Sequence, residues 1–334
     1  MVLHGKGGDY RYEPDWKNPD RPKGNVIVKV RYSGICGSDI PRLAQNGSYC
    51  HPIILGHEFS GTVFEADPES AFKNGEPVAV LPIMPCGVCE GCLTSGPFHC
   101  KNYQFIGSRN DGGFAEYCTV PEDNLLRLVN DKLLRAGSFV EPMAVGLHTV
   151  RRSGFVPGKT AVVFGSGPIG LMIGIWLREF GANRVVMADM REMNLNIARQ
   201  SGFETMDISK ENTLCPDGID YAFEAAGSSK ALSDAVDILK GLGTLTVVGR
   251  DVKDAVIPLK TFETLMRKEL RLIGCWGYDM RGEHDFVSAA LERNASAMEL
   301  LITNEVSIEN ARQLICDMCN RKIEYCKATI SFKE

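Results

Sequence analysis

Three groups of residues in this 334-residue chain have types and spacings that could do chemistry. Cys86, Cys89, Cys92 and Cys100 fall in the pattern C-x2-C-x2-C-x7-C, inside Pro85-Cys-Gly-Val-Cys-Glu-Gly-Cys-Leu. Four thiolates so spaced can surround one tetrahedral Zn2+ and leave no open position, which is a structural site. An iron-sulfur cluster also takes four thiolates, but this spacing matches neither ferredoxin pattern. The chain holds 12 cysteines. Such a count can mean disulfides in a short secreted protein, whereas four of them within fifteen positions of a long chain points to a metal in a reducing compartment.

The second group is Cys36, in Gly-Ile-Cys-Gly-Ser-Asp, and His57-Glu58, in Leu-Gly-His-Glu-Phe-Ser-Gly, with Glu141 before Pro142 as a further carboxylate. One thiolate, one imidazole and a carboxylate leave zinc a position for water or substrate, the form of a catalytic site. Lone Cys and His are also often plain core residues, and spacing alone leaves both readings open.

The third group is Gly165-Ser-Gly-Pro-Ile-Gly170, a G-x-G-x-x-G turn that includes Pro168 and Ile169. A strand-like Thr160 to Phe164 precedes it, and the apolar residues Ile169, Ile173, Trp176, Leu177 and Phe180 follow at helical spacing. This context puts the loop at a helix N-terminus, where free backbone N–H groups and the helix dipole favour a pyrophosphate. Gly165 allows the tight turn, Gly167 the approach of the phosphates, and Gly170 close packing of helix on strand. Asp189 ends the next strand, nineteen residues past Gly170, where its carboxylate can accept both adenosine ribose hydroxyls and would repel a 2′-phosphate. NAD is therefore expected over NADP, although Arg191 nearby could accept a phosphate. The competing reading is a glycine-rich turn with a surface Asp.

The elements that must position these groups divide the chain. Val26, Val28, Val30 and Tyr32 alternate as in a half-buried strand, and short strand-like pieces with Gly and Pro punctuation run on to about Val129. From about Arg151 strands alternate with helices: strands at Arg184 to Ala188, Tyr221 to Glu224, Thr244 to Val248 and Leu270 to Ile273, with helices at Arg191 to Gln200 and Lys230 to Lys240. Alternation of this kind predicts a parallel sheet covered by helices. A helix from His284, a second helix and a strand at Ala328 to Phe332 close the chain. At roughly 150 residues per domain the length suggests two domains.

Composition excludes several classes. Apolar residues at 44% and charged residues at 24% fit neither a disordered nor a fibrous chain. A net charge of -5 provides no basic footprint for nucleic acid or an anionic membrane. The longest uncharged run, Thr160 to Leu177, only just reaches the length of a membrane span and contains Gly165, Gly167, Pro168 and Gly170. It reads instead as strand, turn and helix. The first residues show no basic region followed by an apolar stretch, so a cytoplasmic location is expected.

Taken in order, Gly-Ile-Cys-Gly-Ser-Asp, Gly-His-Glu-Phe-Ser-Gly, the four-cysteine lobe, Val-Glu-Pro-Met-Ala-Val-Gly-Leu-His and Gly-Ser-Gly-Pro-Ile-Gly cover nearly the whole chain. In this the chain resembles the zinc-dependent medium-chain dehydrogenases. Glu141 stands where their polyol branch has a glutamate, and Cys-Gly-Ser-Asp-Ile-Pro-Arg with Phe-Ile-Gly-Ser-Arg-Asn-Asp-Gly-Gly-Phe-Ala-Glu-Tyr is similar to members acting on sugar-alcohol phosphates. The resemblance implies an α/β fold: a β-rich GroES-like catalytic domain over 1–149 with its zinc lobe at 86–100, a Rossmann doubly wound parallel sheet over 150–283, and a segment, 284–334, returning to the catalytic domain. It implies two zinc ions, NAD, and oxidation of a secondary hydroxyl of a small polyol or polyol phosphate, with sorbitol, arabitol phosphate and threonine as alternative substrates. Cys36, His57 and Glu141 would hold the catalytic zinc, Glu58 would be a direct or exchanging ligand, Asp39 would orient His57, and Ser38 would take the substrate's proton. Relatives carry a histidine five residues after the catalytic cysteine, whereas this chain has Pro41. A phosphate would need local cations, for which Arg42 and Arg109 are the candidates, and Trp276 could shape the substrate pocket. A homodimer or homotetramer is expected.

Overall fold

The computed structural model describes residues 1–210, 218–250, 254–279 and 281–333. The chain forms two compact units: Met1–Glu141 together with Asp279–Glu334, and Pro142–Tyr278. The division falls inside one helix, Val140–Ser153, between Glu141 and Pro142.

The first unit is built on a mixed sheet whose strand order is Leu125–Arg127, Pro77–Val80, Glu58–Glu65, Asn25–Ile35, Lys327–Ser331, Ile302–Ser307. Asn25–Ile35 is its spine. The alternating Val26, Val28 and Val30 are fully buried, as a strand with one face on the core requires. Its first half also pairs with Tyr117–Pro121 and its second half with Lys327–Ser331, while Glu58–Glu65 runs antiparallel along most of its length. Register decides which residues meet: Gly34 lies opposite Glu58 and Thr329, and Ile35 opposite Ala328. The end of the spine, the start of Glu58–Glu65 and the start of Lys327–Ser331 therefore converge. Cys36, His57 and Lys327 sit at those three ends. The strand Ile302–Ser307, which pairs in parallel with Lys327–Ser331, carries no clean alternation in sequence and was not expected.

The second unit is a parallel six-stranded sheet in the order Glu204–Asp207, Arg184–Asp189, Thr160–Phe164, Ile219–Glu224, Leu239–Val247, Arg271–Gly274. By chain position this is 3-2-1-4-5-6, the doubly wound Rossmann order, with the direction of winding reversing between Thr160–Phe164 and Ile219–Glu224. Helix Pro168–Glu179 buries Ile173, Trp176 and Leu177, but also Leu171, Met172 and Ile175, so it is apolar almost all round. Such a helix is a core element rather than a surface one. No helix among the described residues is long and apolar enough to cross a membrane.

The fully enclosed rings mark where each core is least tolerant. Phe59, 1% exposed in the first unit, should cost about 3–5 kcal/mol when truncated to Ala, read as the loss in unfolding free energy on urea denaturation.

Candidate metal centres and nucleotide loop

In the four-cysteine lobe the sulfurs of Cys86, Cys89, Cys92 and Cys100 all lie within 4.8 Å of one another. Cys89 Sγ is 3.5 Å and Cys86 Sγ 3.8 Å from Cys92 Sγ, and the backbone N–H of Cys86 donates to Cys100 Sγ at 3.3 Å. Backbone N–H groups of Cys92 and Lys101 directed at Cys89 bring its thiol down to about 6, and the Cys86 N–H lowers that of Cys100. At Cys89 and Cys100 backbone dipoles thus favour the thiolate, the form that binds metal, whereas burial pushes the Cys92 thiol up to about 12.

A second cluster, with ligand atoms also within 4.8 Å of one another, consists of Cys36, His57 and Glu58. His57 and Glu58 are buried and Cys36 is half-buried. Asp39, wholly buried, accepts the backbone N–H of Cys36 at 3.1 Å on one oxygen and places the other 3.5 Å from His57 Nδ1. That separation is long for a hydrogen bond, but the charge orients the ring and leaves Nε2 for the cluster. Burial alone would lower the His57 pKa, yet Asp39 and Cys36 outweigh it and hold it well above its ordinary value. Glu141 falls outside the 4.8 Å group. Its buried carboxyl is pushed up to about 7 by burial, with Glu58 and Asp39 adding to the shift and His57 and Lys327 opposing it.

The donors suit a divalent cation. Among the described residues, Cys36, Asp39, Glu58 and Glu141 can each carry negative charge in one region, with Lys327 as the cation paired to Glu58. Soft thiolate, imidazole and carboxylate together form a zinc-type set.

Sequence reasoning missed Lys327. It is 3% exposed, its ammonium bonds Glu58, and Glu58 and Cys36 raise its pKa against the lowering effect of burial. The pair passes over Gly34, where a Cβ would come within 2.8 Å of both Glu58 Oε2 and Lys327 Cε. A lysine opening an otherwise uncharged strand, Lys327-Ala-Thr-Ile-Ser, was the available signal.

In the second unit the glycine loop follows Thr160–Phe164 at the point where winding reverses. Gly165 has φ +95°, and a Cβ on Gly170 would stand 1.7 Å from the Gly165 carbonyl oxygen, so neither position tolerates a side chain. Gly167 caps helix Pro168–Glu179 with Pro168 in its first turn, and a Cβ there would meet nothing within 4 Å. The loop is thus an open cradle at a helix N-terminus. Ile169 lies half-buried in the first turn. Asp189 ends its strand and accepts the Ser166 N–H, the Arg191 N–H and the Asn194 side chain, each at 2.8 Å. Asn194, fully buried, is a second residue the sequence did not single out.

Two family models match the chain: the alcohol dehydrogenase GroES-like domain over residues 22–130 and zinc-binding dehydrogenase over 168–295. The chain is 33% identical over 318 residues to galactitol 1-phosphate 5-dehydrogenase of Escherichia coli strain K12, covering 91% of each. It belongs to the zinc-binding alcohol dehydrogenases. The crystal structure of the Escherichia coli galactitol-1-phosphate dehydrogenase superposes on this dehydrogenase with a TM-score of 0.89 at 30% identity over 99% of each chain. A zinc-binding dehydrogenase of Sinorhizobium meliloti 1021, solved with NADP, superposes with a TM-score of 0.84 at 27% identity over 94% of each.

The remaining expected residues of this dehydrogenase are dispersed. Ser38, half-buried, precedes the short helix Asp39–Pro41 and makes no capping bond with its hydroxyl. Arg42 and Arg109 are both half-buried in the first unit and approach a common ring, that of Tyr49. Trp276 is 61% exposed on the second unit.

Removing one member of a buried ion pair leaves an uncompensated charge. Lys327→Met should therefore lower stability by about 3–5 kcal/mol on urea denaturation, and adding Glu58→Leu should recover much of the loss. A single variant as stable as the wild type would show that the pair does not hold these strands.

Proposed function

We propose that this dehydrogenase oxidises a secondary hydroxyl of a sugar-alcohol phosphate with NAD, converting galactitol 1-phosphate to tagatose 6-phosphate. The observation that carries the reading is the cluster of Cys36, His57 and Glu58 backed by Asp39, in a chain similar along its length to a galactitol 1-phosphate dehydrogenase. The reaction takes a hydride from the carbinol carbon and a proton from its hydroxyl, leaving a ketone, NADH and a proton. Zinc bound at the cluster would acidify the hydroxyl, and the nicotinamide would accept the hydride.

The residues of the chain supply position and proton handling. Cys36, His57 and Glu141 are the residues that would hold the zinc, with Glu58, paired to Lys327, as a further candidate ligand. Asp39 fixes the His57 tautomer from its second nitrogen. The Ser38 hydroxyl, free of any capping bond, takes the substrate proton. Pro41 offers no onward proton acceptor at its position, so a bound cofactor's ribose hydroxyls and water would have to supply the exit to solvent. The four-cysteine lobe holds a second, structural zinc. Asp189 favours NAD: its carboxylate can accept ribose hydroxyls and repels a 2′-phosphate.

We also propose a homo-oligomer. Arg271–Gly274 is the edge of the parallel sheet, and Leu259, Phe262, Met266 and Leu272 are between 46% and 74% exposed beside it in sequence. An unpaired edge flanked by apolar side chains is the kind of surface that a second copy covers.

Three measurements check these proposals. In a panel of galactitol 1-phosphate, arabitol phosphate, sorbitol, galactitol and threonine, the phosphorylated polyols should give the highest kcat/KM with NAD. Cys36→Ser should abolish turnover while NAD still quenches tryptophan fluorescence, and preference for threonine or NADP would overturn the assignment. Light scattering should report a dimer or tetramer, and Phe262→Asp with Leu272→Asp should shift it towards monomer.

A further inference from the structure

Arg109 is held in an aromatic clamp, and among the described residues no carboxylate pairs with it. Its guanidinium carbon lies 4.0 Å from the centroid of the Tyr49 ring and 4.6 Å from that of Tyr103, whose hydroxyl stands 3.5 Å from Nη2. The clamp is built rather than accidental. Ser48 Oγ donates to the carbonyl of Ser108 at 2.6 Å, and the Cys50 thiol donates to the carbonyl of Arg109 at 3.4 Å. The two residues flanking Tyr49 are thereby tied to successive carbonyls of the Arg109 turn, which sets the ring over the guanidinium.

Arg42 approaches the same Tyr49 ring, its guanidinium carbon 5.7 Å from the centroid. Two cations thus converge on one side chain, in a chain of net charge -5, and neither enters an ion pair among the described residues. Arg109 Nε is buried with no hydrogen-bond partner among them. A buried donor left unmet keeps its full desolvation penalty, which an acceptor from outside the chain would relieve. Stacking on rings covers the faces of a guanidinium and leaves its N–H edge free, the edge that binds phosphate in a fork.

The clamp is also linked to the candidate catalytic cluster. The His57 ring packs edge-on against Phe105 at 5.6 Å, Phe105 packs on Phe98 at 6.1 Å, and Phe98 on Tyr103 at 6.1 Å. A continuous aromatic wall therefore runs from a proposed metal ligand to the guanidinium, all within one unit.

We propose that Arg109, clamped by Tyr49 and Tyr103 and assisted by Arg42, is the seat for the substrate's terminal phosphate, and so the element that selects phosphorylated over free polyols. This rests on the polyol dehydrogenase reading above.

The test compares wild type with Arg109→Ala, Arg109→Lys and Tyr49→Ala, using galactitol 1-phosphate, galactitol, and inorganic phosphate as a binding probe. Arg109→Ala should cut the ratio of kcat/KM for galactitol 1-phosphate over galactitol by roughly 10- to 100-fold, mainly through KM, with Arg109→Lys intermediate because it keeps charge but loses the fork. Tyr49→Ala should fall between wild type and Arg109→Ala. In parallel, 31P NMR titration of inorganic phosphate should show saturable binding to wild type that weakens by a similar factor in Arg109→Ala, with an unchanged melting temperature excluding misfolding. An unaltered substrate ratio in Arg109→Ala, with wild-type phosphate binding, would overturn the seat. If wild type oxidises neither polyol yet loses phosphate binding in Arg109→Ala, the substrate assignment fails and the seat stands.

Discussion

Neither an ammonium nor a carboxylate can stay charged and alone in an apolar interior, where each would forfeit several kcal/mol of hydration. Lys327 and Glu58 are both within 3% of complete burial, and they escape that cost by meeting each other. Their meeting has a geometric consequence, because the two residues open strands that flank the same spine, Asn25–Ile35. The pair crosses that spine at Gly34, where a Cβ would come within 2.8 Å of both side chains. A slip of one residue in either flanking strand would turn Lys327 or Glu58 to the opposite face and strand its partner. The ion pair therefore specifies register, and register determines where Cys36 and His57 are delivered.

The same arrangement explains the charge excess around the cluster. Glu58 is neutralised by Lys327, but Asp39 and Glu141 are buried nearby with Cys36 and His57, and burial pushes the Glu141 carboxyl up. Asp39 disposes of part of its charge by accepting the Cys36 backbone N–H. What is left over is an enclosed set of soft and hard donors with too little positive charge among the protein's own groups. That is the electrostatic condition under which a cation is attracted and held.

Each unit uses strand ends to place its chemistry, by different means. In the second unit the backbone acts: a positive-φ glycine, a close contact at Gly170 and a helix N-terminus form the cradle, and Asp189 is anchored by three donors at the end of the neighbouring strand. In the first unit side chains act, brought together from positions far apart in sequence. The aromatic wall from His57 to Tyr103 is of that kind too, and it passes beside the four-cysteine lobe, whose last cysteine, Cys100, lies three residues before Tyr103.

Local pattern was enough to read much of this protein. The glycine loop and Asp189, the four-cysteine spacing, the alternation of Val26, Val28 and Val30, and the succession of strands and helices after Arg151 are all short-range signals, because each depends on neighbours within a turn, a strand or a loop. Family resemblance supplied the association of Cys36 with His57 and Glu141, which spacing alone left open. What the linear pattern could not show was every contact made across strands. Lys327 lies 269 residues from Glu58, the Ile302–Ser307 strand is defined by its partner rather than by its own alternation, and Arg109 meets Tyr49 only because two hydrogen bonds join their turns. A residue's chemistry is legible in its type, but whether a charge is paired, a donor left unmet or a carboxyl pushed up is decided by burial and register, and those exist only once the chain has folded.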